Sequence, residues 1–369
     1  MSKAAELAAL IANVNKGSSL ASKNLIQNGS FQVWQRGTSA TAQVNSTYTI
    51  ADRWRAWVNG GGAYTTEQST GHLATTGHEN ALKFSVTTAD TSIAAGDYYS
   101  FAHRIEAQNL QSLQYGTSDA KPVTLSFWVR ATKTGTNTVS ITKDDSTTYR
   151  IIKEYTISSS NTWEYKEITF FPDSNIKAGG GAIANDNGTG FQLLWILKYG
   201  STYEGTADTW ITAGHYTTTN QVNHMDSTSN TFYITGVQLE IGEKATEFEH
   251  EPHGTTLQKC HRYFQRINPN PGNTNGGFMQ MCNWNDITFY GTFVFPVEKR
   301  AAPTLGYSDL GHIQVLAASA AGNATEFQSQ GASTNRIELR LANSSGSIGD
   351  GGWVRLSNTS GYVDFIAEL

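Results

Sequence analysis

Val123-Thr124-Leu125-Ser126-Phe127-Trp128-Val129 sets Val123, Leu125, Phe127 and Val129 on one face of an extended chain. That alternation predicts a strand with one face in a core. Tyr165 to Phe171 and Thr231 to Ile241 carry the same pattern. Turn-forming groups punctuate this region: Gly60-Gly61-Gly62, Gly179-Gly180-Gly181 and Asn187-Gly188. Short strands at this spacing predict a β-sandwich or jelly roll from Asn24 to about Pro252.

Outward from this region the rhythm changes twice. Leu257, Cys260, Phe264 and Ile267 line one face of a short helix, or of a helix that yields to a strand near Tyr263. Beyond Pro269-Asn270-Pro271-Gly272-Asn273 come Phe289 to Phe295, Ile313 to Leu316, Arg336 to Leu341, Trp353 to Leu356 and Tyr362 to Leu369. Ile337, Leu339 and Leu341 alternate with Glu338 and Arg340, as on a half-exposed sheet, so a second, smaller β-sandwich is expected, with its last strand near the terminus. At the other end, Leu7, Leu10, Ile11 and Val14 fall at helical spacing, with Ser2 as a cap. A helix this short is marginal alone, so it needs a partner: its own domain, another copy of the chain or a larger particle. The expected order is therefore all-β behind a short N-terminal helix: helix and hinge over 1–23, jelly roll over 24–252, and a second sandwich over 253–369.

Composition excludes several function classes. Charged residues make up 15% of the 369, against about 25% in typical soluble proteins, and aromatics reach 11% with a net charge of −5. Such a chain folds, with a neutral, hydroxyl-rich surface. Nucleic acid binding needs a concentrated basic footprint that is missing here, and no apolar run approaches 18 residues, so neither nucleic acid nor membrane insertion is expected. Glu6 interrupts the N-terminal apolar run, which lacks signal-peptide architecture; synthesis in a reducing cytoplasm is expected. Cys260 and Cys282 imply neither a disulfide nor a zinc site.

No motif points to catalysis or to a cofactor. His250-Glu251-Pro252-His253 lacks the helical i, i+4 spacing of a zinc pair, and its proline disfavours helix at Glu251; it reads as a linker. Lys143-Asp144-Asp145-Ser146 and Asn185-Asp186-Asn187-Gly188 read as hairpin turns rather than calcium loops. Asp52, Glu67, Glu79, Asp90 and Asp97 are expected at the surface, with Asp52 beside Arg53 at a strand edge. No nucleophile elbow or phosphate loop is present, and the chain is expected not to be an enzyme. Phe84, Phe127, Trp128, Phe170, Phe232 and Phe289 belong to strand patterns and to the core or half-buried sheet. Trp57, Tyr64, Tyr203 and Trp210 stand beside Gly, Thr and Asn in expected loops, where an aromatic ring stacks on the C–H side of a sugar. These four are the candidate glycan-binding residues.

The first region resembles the jelly-roll carbohydrate-binding modules of families 4 and 9. The resemblance rests on Asn24 to Phe31, Asn80 to Phe84, Val123 to Val129, Thr162-Trp163-Glu164 and Phe232 to Leu239, in that order. Gln32 and Thr235 depart from the acidic positions that often hold calcium in those modules, so no structural metal is expected. A second resemblance runs the length of the chain, to fibre and other virion proteins of tailed bacteriophages, marine and cyanobacterial ones especially. It is carried by Asn24 to Asn28, Gln35 to Ser39, Ala51 to Trp54, Gly236 to Gly242, Ala245 to His250, Cys260 to Phe264, Arg300 to Thr304 and Ala367-Glu368-Leu369. It implies a virion appendage, a homotrimer, with an outer domain that meets host surface polysaccharide. Leu7, Leu10, Ile11 and Val14 would then mediate oligomerisation or docking onto other tail or capsid proteins. Two other readings fit the same pattern: a structural virion protein such as a capsid fibre or tail connector, and a stand-alone carbohydrate-binding module.

Overall fold

Alternating apolar side chains predict sheets buried on one face, and the computed structural model shows such sheets. It describes residues 23–43, 48, 51–269, 277–285, 287–317, 320–342 and 347–369. The expected helix with Leu7, Leu10, Ile11 and Val14 lies outside these residues, as does the stretch from Asn270 to Asn273. The chain divides into two units. One runs to Gln32 and from Gly37 to Pro252; the other joins Val33–Arg36 to His253–Leu369.

The first unit contains β1 (Ser39–Gln43), β2 (Trp54–Asn59), β3 (Ala63–Ser69), β4 (Ala81–Thr88), β5 (Tyr98–Glu106), β6 (Val123–Ala131), β7 (Gly135–Lys143), β8 (Tyr149–Ile157), β9 (Glu164–Phe170), β10 (Thr189–Tyr199) and β11 (Thr231–Ile241). They form a six-stranded sheet, β1-β3-β4-β11-β6-β9, and a five-stranded sheet, β2-β5-β10-β7-β8. All pairings are antiparallel, and the crossovers between the sheets make this an all-β jelly-roll sandwich. Leu125, Phe127 and Val129 of β6 are fully buried, as their alternation requires.

Aromatic side chains fill the space between the sheets. Trp195 of β10 stacks on Phe101 with ring centroids 5.5 Å apart, and Phe101 stacks on Phe84 at 4.4 Å across the sandwich. Trp54 and Phe127 close on Trp195 at 5.3 and 5.9 Å. The β11–β6 register slips between Thr235 and Gln238, and Gly236 sits there at φ 60°. A Cβ at Gly236 would approach His78 Nε2 to 2.4 Å, so the bulge needs glycine both for its backbone and for its room.

The expected surface position of two acids is corrected here. Asp52 is fully buried, and Arg53 beside it, at φ 74°, donates to Gln27 Oε1 and the Arg104 carbonyl, both at 2.8 Å. Asp90 is buried and accepts from the Tyr99 hydroxyl at 2.7 Å.

His103 and His224 are also buried in this unit. Burial holds the His103 imidazole well below its ordinary value and pushes His224 down to about 4. The unfolded chain therefore binds more protons than the folded one between about pH 6.5, the usual histidine value, and pH 4. Stability in this window rises with pH and is lost on acidification. The melting temperature measured by calorimetry is expected to fall several degrees from pH 7 to pH 4.5. A flat profile would contradict this account, and His224→Gln should make the slope shallower.

The second unit contains β12 (Phe264–Ile267), β13 (Gly277–Asn285), β14 (Thr288–Val294), β15 (Thr304–Tyr307), β16 (Ile313–Ala317), β17 (Ala320–Asn323), β18 (Glu326–Ala332), β19 (Arg336–Ala342), β20 (Gly351–Leu356) and β21 (Val363–Ile366). A three-stranded sheet, β12-β21-β15, and a seven-stranded sheet, β17-β16-β20-β13-β14-β19-β18, share one core around Phe289, Ile337, Leu339, Val354 and Phe365. The helix His253–His261 precedes β12, as the change of rhythm predicts. The last strand, β21, is the middle of its sheet, which ties down the terminus.

In this unit four stretches far apart in sequence meet. Gln35 Nε2 donates to the Phe264 carbonyl at 3.0 Å, and Arg36 pairs with Glu368 at 2.9 Å while lying 3.4 Å over the Phe264 ring. Arg300 donates to the carbonyls of Ala367 and Glu368, both at 2.8 Å. No helix of the described residues is long and apolar enough to cross a membrane.

Candidate functional site

Strand alternation fixes what the five-stranded sheet shows on its outer side. In β2, Trp54, Ala56 and Val58 point into the core, so Arg55 and Trp57 share the opposite face. Cross-strand register then builds rows over that face. One row runs Arg104, Gln192, Thr142, Arg150 and the next Arg55, Ala102, Leu194, Ser140, Ile152. A third begins Trp57, Ser100, Ile196, with Tyr98 beyond it opposite Asn59 and Tyr199. At about 4.8 Å per strand, Arg104 and Arg150 stand roughly 14 Å apart.

Half-buried aromatic rings gather at one end of these rows. Ala102, Leu194, Ile196 and Tyr199 form a small apolar floor, with Trp57, Tyr98, Tyr203 and Tyr216 packed on it. Tyr203 touches Tyr98, Tyr199 and Tyr216 at centroid distances of 5.9, 5.4 and 6.1 Å. Guanidinium groups lie against the same rings: Arg55 and Arg104 over Trp57 at 4.7 and 5.6 Å, and Arg150 over Tyr216 at 5.1 Å.

Polar groups on this face are incompletely satisfied. Trp57 Nε1, Ser140 Oγ, Thr142 Oγ1 and Arg150 Nε are buried at the atom and have no hydrogen-bond partner among the described residues. Such atoms cost stability. Arg104 Nε donates to Gln192 Oε1 at 2.8 Å, and Arg150 Nη1 to the Thr212 carbonyl at 3.2 Å. Asp144 lies within the field of Arg104 and Arg150, yet burial outweighs both and raises its carboxyl above the ordinary range.

The four predicted aromatics divide evenly. Trp57 and Tyr203 are in this cluster. Tyr64 and Trp210 are not in loops that face solvent, and their expected role is corrected. Tyr64, 0% exposed, lies in β3 and stacks edge-on against Phe84; its hydroxyl donates to the Ser100 carbonyl at 3.1 Å. Trp210, 2% exposed, donates Nε1 to the Phe171 carbonyl at 2.9 Å and meets Tyr115 edge-on. Neither ring offers a free face to a sugar. Local sequence misled here because glycine and threonine neighbours mark turns without saying which side of the sheet a side chain takes.

Sequence reading also missed Tyr98, Tyr216, Arg55, Arg104 and Arg150. The alternation of Trp54 to Val58 was signal enough to pair Arg55 with Trp57. Arg150 carries no local signal, because only the β7–β8 pairing brings it into a row with Arg104. Surface depressions also lie elsewhere. One is lined by Leu110, Gln111, Gln114, Tyr115, Thr117, Asp119 and Ile183, and two flank Trp353 in the second unit. None of these sets guanidinium groups against aromatic rings. Among the described residues, no group of three or more His, Cys, Asp or Glu side chains is arranged to hold a metal ion. At the two positions compared with calcium ligands, Gln32 Nε2 donates to Ser30 Oγ at 3.0 Å and the Thr235 hydroxyl donates to the Asn80 carbonyl at 2.6 Å.

No protein-family model matches the chain, and neither does any curated protein. Among solved structures, it aligns with the enzymatically active domain of tailspike protein 4 of bacteriophage CBA120. That alignment has 13% identity over 60% of this chain and 22% of the tailspike, with a TM-score of 0.31. It also aligns with the family 11 carbohydrate-binding module of the Clostridium thermocellum cellulase Lic26A-Cel5E, at 12% identity over 56% of this chain and 97% of the module, with a TM-score of 0.29. A family 4 carbohydrate-binding module gives 14% identity over 59% and 99%, with a TM-score of 0.28. Similarity of this order assigns no function.

Proposed function

We propose that this chain recognises a glycan on the outer face of its five-stranded sheet, as a tail-fibre-like subunit of a phage virion appendage. The observation that carries the glycan reading is the gathering of half-buried Trp57, Tyr98, Tyr203 and Tyr216 on one apolar floor of that face, with guanidinium groups against the rings. Aromatic rings take the C–H side of a sugar, and polar groups beside them take its oxygens. Each such face is weak alone; a homotrimer presenting three of them gains avidity. The appendage context is supported by the phage-like stretches quoted above, four of which converge around Arg36, Phe264, Arg300 and Glu368 in one unit.

The test is retardation of the protein in native gels cast with host surface polysaccharide. Trp57→Ala and Tyr203→Ala are each expected to weaken binding about tenfold, the equivalent of about 1.4 kcal/mol, with unchanged circular dichroism. Tyr64→Phe and Trp210→Phe, conservative changes in the core, should retain full retardation. Equal retardation of all four variants would remove the site from this face.

A second reading, a structural virion protein without receptor binding, is favoured by one observation. The seven-stranded sheet of the second unit exposes Trp353 and Trp284, 54% and 74% accessible, together with Val294. Light scattering with and without residues 1–23 addresses assembly. A trimer lost on truncation supports attachment and oligomerisation through Leu7, Leu10, Ile11 and Val14, and a monomer in both forms removes the fibre model.

A further inference from the structure

We infer that the outer face of the six-stranded sheet is a second glycan-binding face, so that one chain holds two glycan strands on opposite sides of its jelly roll. The inference rests on the glycan reading above for the class of ligand, and on a separate set of residues for the site. Phe127 and Val129 of β6 and Phe232 and Ile234 of β11 are buried, so Trp128, Arg130 and Tyr233 take the opposite face. Register then sets two rows on it. One runs Lys83, Tyr233, Arg130, with Trp163 just ahead of β9; the other sets Trp128 opposite Tyr165. The rows lie two residues apart along each strand, about 7 Å.

Every ring in these rows is open to solvent: Trp128, Trp163 and Tyr233 are half-buried, and Tyr165 is 44% exposed. Trp163 and Tyr233 stand 6.1 Å apart, and Arg130 lies over both, at 5.2 and 3.9 Å, which fixes their orientation. Trp128 and Tyr165 pack at 5.4 Å. His72, held by Ser69 Oγ at 2.8 Å, meets Trp163 and Tyr233 edge-on. Lys83 is paired with Glu67 at 2.8 Å. Rings set side by side suit successive sugar units, and the Tyr165 hydroxyl and the Arg130 guanidinium stand beside them for the sugar oxygens. Arg130 and His72 break the apolar surface between the rings, whereas a protein-docking patch is contiguous. The outer faces of a sandwich point in opposite directions, so a chain using both bridges two glycan strands.

The experiment is affinity electrophoresis of the full chain in a β-glucan, a β-galactan and a bacterial lipopolysaccharide, comparing Trp57→Ala, Trp163→Ala, Tyr165→Ala and the double variant Trp57→Ala with Trp163→Ala. In the polysaccharide that retards the unaltered chain, Trp163→Ala is expected to weaken retardation about tenfold, because one of two linked contacts is gone. The double variant should lose the retardation that Trp57→Ala retains. Tyr165→Ala, at an exposed ring, should weaken it in the same direction, and circular dichroism checks that each variant folds. Calorimetric titration with an oligosaccharide of the same glycan should give two sites per chain, and one in either single tryptophan variant, whatever the oligomeric state. Full retardation of Trp163→Ala and Tyr165→Ala, with one site per chain, would overturn the inference and leave the five-stranded face standing. Self-association lost in Trp163→Ala with retardation unchanged would also overturn it, making this face a contact between copies. Retardation that Trp57→Ala leaves whole and Trp163→Ala abolishes would support this face and remove the other. Retardation by none of the three would count against both.

Discussion

Trp195→Ala is expected to lower the melting temperature of the first unit by roughly 10 °C. Trp195 is fully buried at the middle of the five-stranded sheet and touches Trp54, Phe101 and Phe127. Truncating a core tryptophan removes its transfer free energy and leaves a cavity that rigid neighbours cannot fill, together about 3–5 kcal/mol. Each kcal/mol moves the midpoint of a domain this size by about 2–4 °C. Calorimetry of the two-unit chain should show the loss in one transition, the one that Trp57→Ala leaves nearly in place. A shift under about 3 °C would mean that the aromatic stack is not what fills this sandwich. Since Leu194 and Ile196 flank Trp195 on the other side of the strand and form the floor under Tyr203, the variant should also weaken polysaccharide retardation.

Glu368→Ala should destabilise the second unit by a comparable or larger margin, about 3–5 kcal/mol. Its carboxylate meets Arg36 at 2.9 Å, with the two side chains 6% and 11% exposed. Removing the acid takes the carboxylate from a guanidinium that also lies against the Phe264 ring, where water reaches it poorly. For a unit of some 120 residues, the midpoint should fall by more than 10 °C. The double variant Arg36→Ala with Glu368→Ala is expected to be less harmful than the sum of the singles, because both charges of the pair are removed together. Strict additivity would show that the pair is not coupled and that Arg36 acts through packing on Phe264 alone. The second transition is the one to watch, since Val33–Arg36 belongs to this unit although it precedes all of the first unit's strands in sequence.

Strand-forming alternation is a property of neighbours along the chain, and the sequence by itself determined that much. Val123 to Val129, Thr231 to Ile241 and Arg336 to Leu341 announce which side chains are buried, because a side chain two positions on always returns to the same face. The all-β class and the two regions of strands follow from repeating that reading. The same local logic singled out Trp57, which lies within β2 rather than in the expected loop, and Tyr203, and both rings are half covered. It failed at Tyr64 and Trp210, whose surroundings in sequence resemble an exposed loop while their rings are buried. What only the tertiary structure decided is everything that depends on register between distant strands. Arg104 and Arg150 become ends of one row only when β5, β10, β7 and β8 pair, and Arg36 reaches Glu368 across 332 positions. Such contacts carry no local signature: their energy is gained only after the chain has closed the long loops between them, so no short window of sequence records it.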